Sequence, residues 1–275
     1  MKEIKFNKYH GCGNDFIIVK EEDLKDVDLT NFIISICNRY KGIGADGLMI
    51  DMKESIEMKF YNQDGRSGTM CGNGLRSFSA YLKDIKKVKE DNFDVITPAG
   101  VMRIETINNN PYIFKANLGK YSYSTKLLEI DTLKETFIDE DIYYGDRIIT
   151  CTAVFIGTKH LVVITDNKDD LYDESLGKFL STHKLFKDDI NVDFVYIQDK
   201  NNILMHTYER GVGFTKACGT GSCASYIILK DKNLCADYLN VHMEYGALLI
   251  SSLNEDIIME GPAEKICEGT YIWRE

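Results

Sequence analysis

Proline is scarce, three in 275 residues, so it marks no domain boundary. Cysteine is too sparse for a disulfide scaffold, at eight of 275 residues, about 3%. The opening MKEIKFNKYH runs straight into strand-like sequence with no signal-peptide pattern, so the thiols are expected to be reduced and the protein cytoplasmic. No run approaches the roughly 18 consecutive apolar residues of a membrane span, so no membrane partner is expected. A basic excess is also missing: 33 Lys and Arg stand against 43 Asp and Glu, for a net charge of −10. That balance counts against a nucleic-acid binder, whose surface must neutralise phosphates. What is present is a globular composition, 44% hydrophobic, 28% charged and 11% aromatic. At roughly 100–200 residues per domain, the length suggests two domains.

The chain repeats itself. Cys71-Gly72-Asn73-Gly74 opens a segment of small and apolar residues, and Cys218-Gly219-Thr220-Gly221 opens another, 147 residues on. Upstream, Tyr61-Asn62 answers Tyr208-Glu209, each closing a short alternating run. Downstream, Val95 to Gly100 answers Val241 to Gly246 at an offset of 146. A strand, a polar loop, a cysteine-led helix and a later strand with a glycine thus occur twice in one order, which predicts two homologous α+β halves. Period-2 alternation marks strands at 16–19, 94–97, 101–105, 112–116, 147–155, 161–164, 194–197, 247–251 and 257–260. Helical spacing marks 29–38 and 171–181. The acidic, apolar-poor stretch 119–141 is expected to carry the chain between halves, and the final strand, 266–273, to return to the first half.

A CGNG or CGTG loop opening a helix combines two properties. The first turn carries N–H groups without intrahelical acceptors, in the positive potential of the helix dipole, so it seats a carboxylate or phosphate. A cysteine there should have its pKa drawn down from about 8.5 toward neutrality. If the halves pack with these helix N-termini together, a carboxylate held by both would present its α-carbon to two sulfurs on opposite sides. One thiolate then removes a proton, the opposite thiol returns one to the other face, and the stereocentre inverts. The N–H donors would stabilise the anionic intermediate, with no cofactor required. No metal site is expected, because no CxxC pair is present. Cys37, Cys151, Cys223, Cys235 and Cys267 read as small buried hydrophobes, and Cys12 as part of a glycine loop. His183, His206 and His242 read as surface or core residues.

The sequence resembles the diaminopimelate epimerase family over nearly its whole length. The likeness rests on His10-Gly11-Cys12-Gly13-Asn14-Asp15-Phe16, Gly42-Ile43-Gly44-Ala45-Asp46-Gly47, Asn62-Gln63-Asp64-Gly65 running to Cys71 and Arg76, Glu209-Arg210-Gly211-Val212-Gly213 running to Cys218 and Gly221, and Gly261-Pro262-Ala263. The resemblance implies an α+β fold of two pseudo-symmetric halves, each a mostly antiparallel sheet wrapped around a central helix, with the active site in the cleft between them. It implies cofactor-independent conversion of LL-diaminopimelate to the meso form, for lysine and peptidoglycan synthesis. Cys71 and Cys218 would be the acid–base thiols, and the N–H groups of Gly72, Asn73, Gly219 and Thr220 would hold the α-carboxylate. Asn14, Asn62, Asn191 and Arg210 would bind the remote end of the substrate, with Glu209 on its ammonium. His160 and Glu209 would adjust the cysteine pKa values. The partner is then a small amino acid, and the family often forms homodimers.

This sequence departs from the family pattern at three places. Thr158-Lys159 stands where Asn-Pro is usual, so a shorter hydroxyl at Thr158 replaces an amide contact to the substrate. Phe214 stands where a glutamate is usual, and Ser77 replaces a common cysteine. The first two line the substrate end and bear on which amino acid is bound. The alternative reading is accordingly a pyridoxal-phosphate-independent racemase or epimerase of another amino acid, such as lanthionine or histidine. The duplication divides the chain into 1–117 with 264–275, and 118–263.

Overall fold

The computed structural model describes residues 1–68 and 71–274. Thr69, Met70 and Glu275, which fall in the first half as read from sequence, lie outside them. The chain forms two units, Met1–Ala116 with Gly261–Glu275, and Asn117–Glu260.

In the first unit the strands are β1 (Lys2–Gly11), β2 (Asn14–Lys20), β3 (Gly47–Asp51), β4 (Met58–Asn62), β5 (Asn92–Thr97), β6 (Gly100–Asn109) and β7 (Tyr112–Asn117). The helices are α1 (Leu29–Cys37) and α2 (Gly72–Asp84). Neighbours pair antiparallel except β2 with β3, whose crossover contains α1. Asp28 caps α1 by accepting from the Asn31 N–H at 3.2 Å. Phe32, Ile33, Ile36 and Cys37 then turn one apolar stripe onto Ile4, Ile17, Leu48 and Trp273. Full burial of an Ile or Phe here contributes roughly 1.5–3 kcal/mol. Helix α2 packs on β1, β2 and β4 and is buried from Gly72 to Leu82.

The second unit contains β8 (Glu140–Tyr144), β9 (Arg147–Ile156), β10 (Thr158–Ile164), β11 (Asn191–Asp199), β12 (Asn202–Glu209), β13 (Gly213–Thr215), β14 (Tyr238–Met243) and β15 (Gly246–Leu253). Its helices are α3 (Thr125–Leu128), α4 (Glu174–Ser181) and α5 (Gly219–Asp231). Only β10 with β11 and β12 with β14 run parallel, and α4 and α5 lie in those two connections. The last strand, β16 (Asp256–Trp273), pairs with β15 over its first residues and with β1 from Glu264 to Trp273. The fold is α+β with mostly antiparallel sheet, as the sequence predicts.

The duplication reaches beyond the cysteine loops. Asp84 ends α2 and Asp231 ends α5, again 147 positions apart. A carboxylate is unfavourable at the negative end of a helix dipole. In both units tyrosine hydroxyls offset this: Tyr9 and Tyr112 donate to Asp84 at 2.5 and 2.9 Å, and Tyr123 to Asp231 at 2.7 Å.

Three sequence expectations are corrected. The helix expected over 171–181 is broken, because Asp173 accepts from the Leu176 N–H at 2.9 Å and caps a new helix, leaving a 3-10 turn at Lys168–Tyr172. The stretch 119–141 is no linker: it folds into the second unit, with Leu128, Ile130 and Phe137 in the core. Cys267, expected to be buried, is exposed, since β16 turns that part of its length outward.

Candidate active site

In the first unit, β1 and β2 join through Cys12 and Gly13, both at positive φ (53° and 83°), a two-residue hairpin turn. Cys12 is thus a buried turn residue, and burial pushes its thiol pKa up. The turn delivers Asn14 to the start of α2. Cys71 caps that helix, its Sγ accepting from the Gly74 N–H at 3.4 Å. The same Sγ lies 3.7 Å from Asn14 Oδ1, which also accepts from Asn73 Nδ2 at 3.2 Å. Asn14 Nδ2 donates to Asp46 at 2.6 Å, and Arg39 holds Asp46 at 2.6 Å and Asp15 at 2.7 Å. Arg76 is fully buried beneath the loop, donating to Asn73 Oδ1 at 2.6 Å, to the Pro262 carbonyl at 3.2 Å and to the Gly72 carbonyl at 3.3 Å. Asn14, Cys71, Gly72 and Asn73 therefore form one cluster. Asn62 is exposed at the end of β4, in register with Gly47, which pairs with Phe16 of β2.

In the second unit Cys218 caps α5 in the same way, accepting from the Gly221 N–H at 3.3 Å. Its Sγ is 3.5 Å from Thr220 Oγ1, which lies 2.9 Å from His160 Nε2. His160 Nδ1 is 2.8 Å from Asp193 Oδ2, and Thr207 donates to Asp193 Oδ1 at 2.7 Å. His160 and Asp193 are both wholly shielded from solvent. Ligand-type atoms of His160, Asp193 and Cys218 fall within 4.8 Å of one another. Both imidazole nitrogens are nonetheless committed, to Asp193 and Thr220, so the group is built as a hydrogen-bonded chain.

Glu209 ends β12 beside Cys218, with Thr215 donating to its Oε1 at 2.8 Å. Burial raises the Glu209 pKa against the bond from Thr215. The expected depression of the Cys218 pKa is reversed. Burial raises it well above the usual value, with help from the Glu209 and Asp193 carboxylates, and these outweigh the Thr220 and Gly221 bonds. Cys218 rests as a thiol. Asn191 pairs in register with His160 and accepts from the Arg210 N–H at 3.0 Å. The exposed Arg210 sends its guanidinium to the Asp188 carbonyl, 3.3 Å away. Thr158 starts β10, partly buried, two residues before His160.

The departures from the family pattern are placed too. The Lys159 ammonium, on a nearly buried side chain, donates to Glu129 at 3.0 Å and to the Lys187 carbonyl at 2.5 Å. The partly buried Phe214 ring stacks on His206 at 4.3 Å and packs against the second unit's core. Ser77 is buried in α2.

From the sequence, Asp193 and the Thr220 side chain carry no role, and Arg76 appears only as the end of a motif block. The signal for Asp193 was a carboxylate inside an otherwise apolar strand, Val192 to Val195. Such a group must find partners when buried. Gly221 fits this environment closely, since a Cβ there would come 2.2 Å from Asp193 Oδ1. Alanine normally outdoes glycine within a helix by about 1 kcal/mol. Here Gly221→Ala is expected to reverse that sign and cost about 1–3 kcal/mol, read by denaturant titration.

The chain matches the family model described as "Diaminopimelate epimerase" over residues 6–124 and 152–266. It is 37% identical over 278 residues to the diaminopimelate epimerase of Alkaliphilus metalliredigens, covering 98% of each chain. It is 31% identical over 288 residues to that of Halothermothrix orenii, covering 99% of each. Among solved structures, the PhzF-family phenazine biosynthesis protein of Bacillus anthracis superposes with a TM-score of 0.71 at 14% identity, over 99% of this chain and 100% of that one. At that identity the likeness speaks for the fold alone. Two cysteine-capped helices in an α+β duplication, matched along almost the whole sequence, make the conclusion direct: this chain belongs to the diaminopimelate epimerase family.

Proposed function

We propose that this protein is an isomerase that epimerises LL-diaminopimelate to meso-diaminopimelate, in lysine and peptidoglycan synthesis, without a cofactor. One observation carries the reading: a cysteine caps a thirteen-residue helix in each half of a duplicated chain that is 37% identical to a diaminopimelate epimerase.

Cys71 and Cys218 act on opposite faces of the α-carbon, one as thiolate base and the other as thiol acid, and exchange roles in the reverse direction. Removing the α-proton moves negative charge onto the carboxylate. The first-turn N–H groups of Gly72, Asn73, Gly219 and Thr220 are donors suited to that charge, and the helix dipoles reinforce them. Asn62, Thr158, Asn191 and Arg210 serve the remote end of the substrate, where an Arg and amides suit a carboxylate. Asn14, bonded to Cys71, holds that thiol as well as the substrate. Glu209 and His160 set the protonation of Cys218.

The first half, 1–117 with 264–275, contributes one thiol and the second, 118–263, the other. The protein works in the cytoplasm, because an oxidising compartment would link the two thiols, and as a homodimer. Among the described residues, no helix is long and apolar enough to cross a membrane.

The test is purified, reduced protein with no added pyridoxal phosphate, offered a panel of amino acids in deuterated water. LL-diaminopimelate should be converted to the meso form with deuterium at the inverted carbon. Exchange confined to lanthionine, histidine or another amino acid would overturn the substrate, and exchange with none would overturn the activity.

A further inference from the structure

Asp193 has no part in the chemistry described so far, yet it is one of the most completely enclosed charged groups in the second unit. Its two oxygens are both used, Oδ1 by Thr207 at 2.7 Å and Oδ2 by His160 Nδ1 at 2.8 Å. A carboxylate only accepts, so Nδ1 carries the imidazole proton, and Nε2 is left to accept from the Thr220 hydroxyl at 2.9 Å. The Thr220 oxygen in turn faces Cys218 Sγ at 3.5 Å. Four groups from three elements, β11, β10 and α5, are thus joined end to end, and Gly221 leaves the room for the carboxylate that a side chain would take, since a Cβ there would come 2.2 Å from Asp193 Oδ1.

Resting on the epimerase reading, we propose that Asp193 is a positioning residue for a proton relay, Cys218 to Thr220 to His160, which stores the Cys218 proton inside the protein whenever Cys218 acts as the base. The step balances within the chain. Cys218 Sγ–H passes its proton to Thr220 Oγ1 as Thr220 passes its own to His160 Nε2. A thiolate, an intact hydroxyl and an imidazolium held by Asp193 remain. Taking the α-proton turns the thiolate back into a thiol while His160 keeps the stored proton, and when no substrate is taken the reverse transfer restores the thiol. Burial and two carboxylates hold Cys218 as a thiol, so its proton needs an internal acceptor; the relay supplies one in addition to Glu209, whose carboxylate is itself bonded to Cys218.

The ionisable groups facing Cys218 are Glu209 of β12, Asp193 of β11 and His160 of β10. Among the other elements packed on α5, β15 has no ionisable side chain, Cys151 of β9 is turned to the Glu140 carbonyl, and His242 of β14 to Asn202.

Two physical pictures of Asp193 predict opposite signs, which makes the test decisive. If Asp193 acts only as a nearby negative charge, Asp193→Asn removes repulsion and makes Cys218 more acidic. If it orients the relay, the same change disturbs the His160 tautomer and makes the thiolate harder to form. The experiment is alkylation of the full-length protein by iodoacetamide across neutral to alkaline pH, with Cys218 and Cys71 followed separately by peptide mass spectrometry. We expect Asp193→Asn to slow Cys218 alkylation at neutral pH about tenfold, an apparent pKa raised by about one unit, with Cys71 unchanged. Turnover should fall about a hundredfold at nearly constant KM. Faster or unchanged Cys218 alkylation overturns the relay.

His160→Gln leaves the Asp193 charge in place, and the relay predicts the same slowing. This variant decides the question if Asp193→Asn does not fold, and an unchanged Cys218 rate in it also overturns the proposal. Alkylation needs no substrate. Failure of the wild type to convert diaminopimelate would therefore sink the epimerase reading while leaving the relay measurement intact.

Discussion

Cys218→Ala is expected to lower kcat for interconversion of LL- and meso-diaminopimelate by about 10³–10⁴-fold, and Cys71→Ala by a similar factor. Each change removes one of two groups that must move a proton in every turnover, and general acid–base catalysis at one site is typically worth about 10²–10⁴-fold. The backbone N–H groups of both helices survive the substitution, so substrate binding should persist, with KM changed far less than kcat. The variants should also differ from each other. A protein that keeps only Cys218 can still abstract a proton from the face that Cys218 serves, and return one from solvent to that same face. Cys71→Ala should therefore exchange the α-proton of one stereoisomer without inverting it, and Cys218→Ala should do so for the other. Proton NMR in deuterated water reads both quantities in one experiment.

The largest expected loss of stability belongs to Arg76→Ala. Arg76 is wholly buried and binds the Pro262 and Gly72 carbonyls and the Asn73 side chain, tying β16 to the first turn of α2. Truncation leaves a cavity where the guanidinium and its stem were, and takes a charge-assisted donor from each of three acceptors. Together these should cost about 3–5 kcal/mol. Against a typical total of about 5–15 kcal/mol, that is enough to lower the denaturation midpoint substantially. Arg76→Lys should recover little, because an ammonium is a point donor and cannot span three acceptors in a fixed plane as the guanidinium does. Activity should fall in the folded fraction too, since Asn73, held by Arg76, also contacts the Asn14 oxygen on Cys71.

Much of the architecture was legible because duplication prints the same local rules twice. The glycine-rich cysteine loops, the Tyr-led strand ends before them and the paired hairpins after them all recur at near-constant offset. The structure gives each the same form, down to Asp84 and Asp231 at the helix ends. Local chemistry, by contrast, misled where burial decided the outcome. A cysteine at a helix N-terminus reads as an acidified thiol, yet Cys218 is held protonated by desolvation and by carboxylates of two preceding strands, Glu209 of β12 and Asp193 of β11. Nothing within the CGTG segment announces Asp193 or Glu209. The acidic stretch 119–141 misled in the opposite way, because a few apolar residues, Leu128, Ile130 and Phe137, suffice to anchor it.

The central claim is that two thiols, Cys71 and Cys218, work on opposite faces of one carbon. The most direct test follows LL-diaminopimelate converting in deuterated water at early times. Two bases predict that every meso product molecule carries deuterium at the inverted carbon, while unreacted LL substrate still carries protium there, because the incoming proton comes from a thiol already exchanged with solvent. Meso product that retains the original protium, delivered by the same group that removed it, would contradict the account.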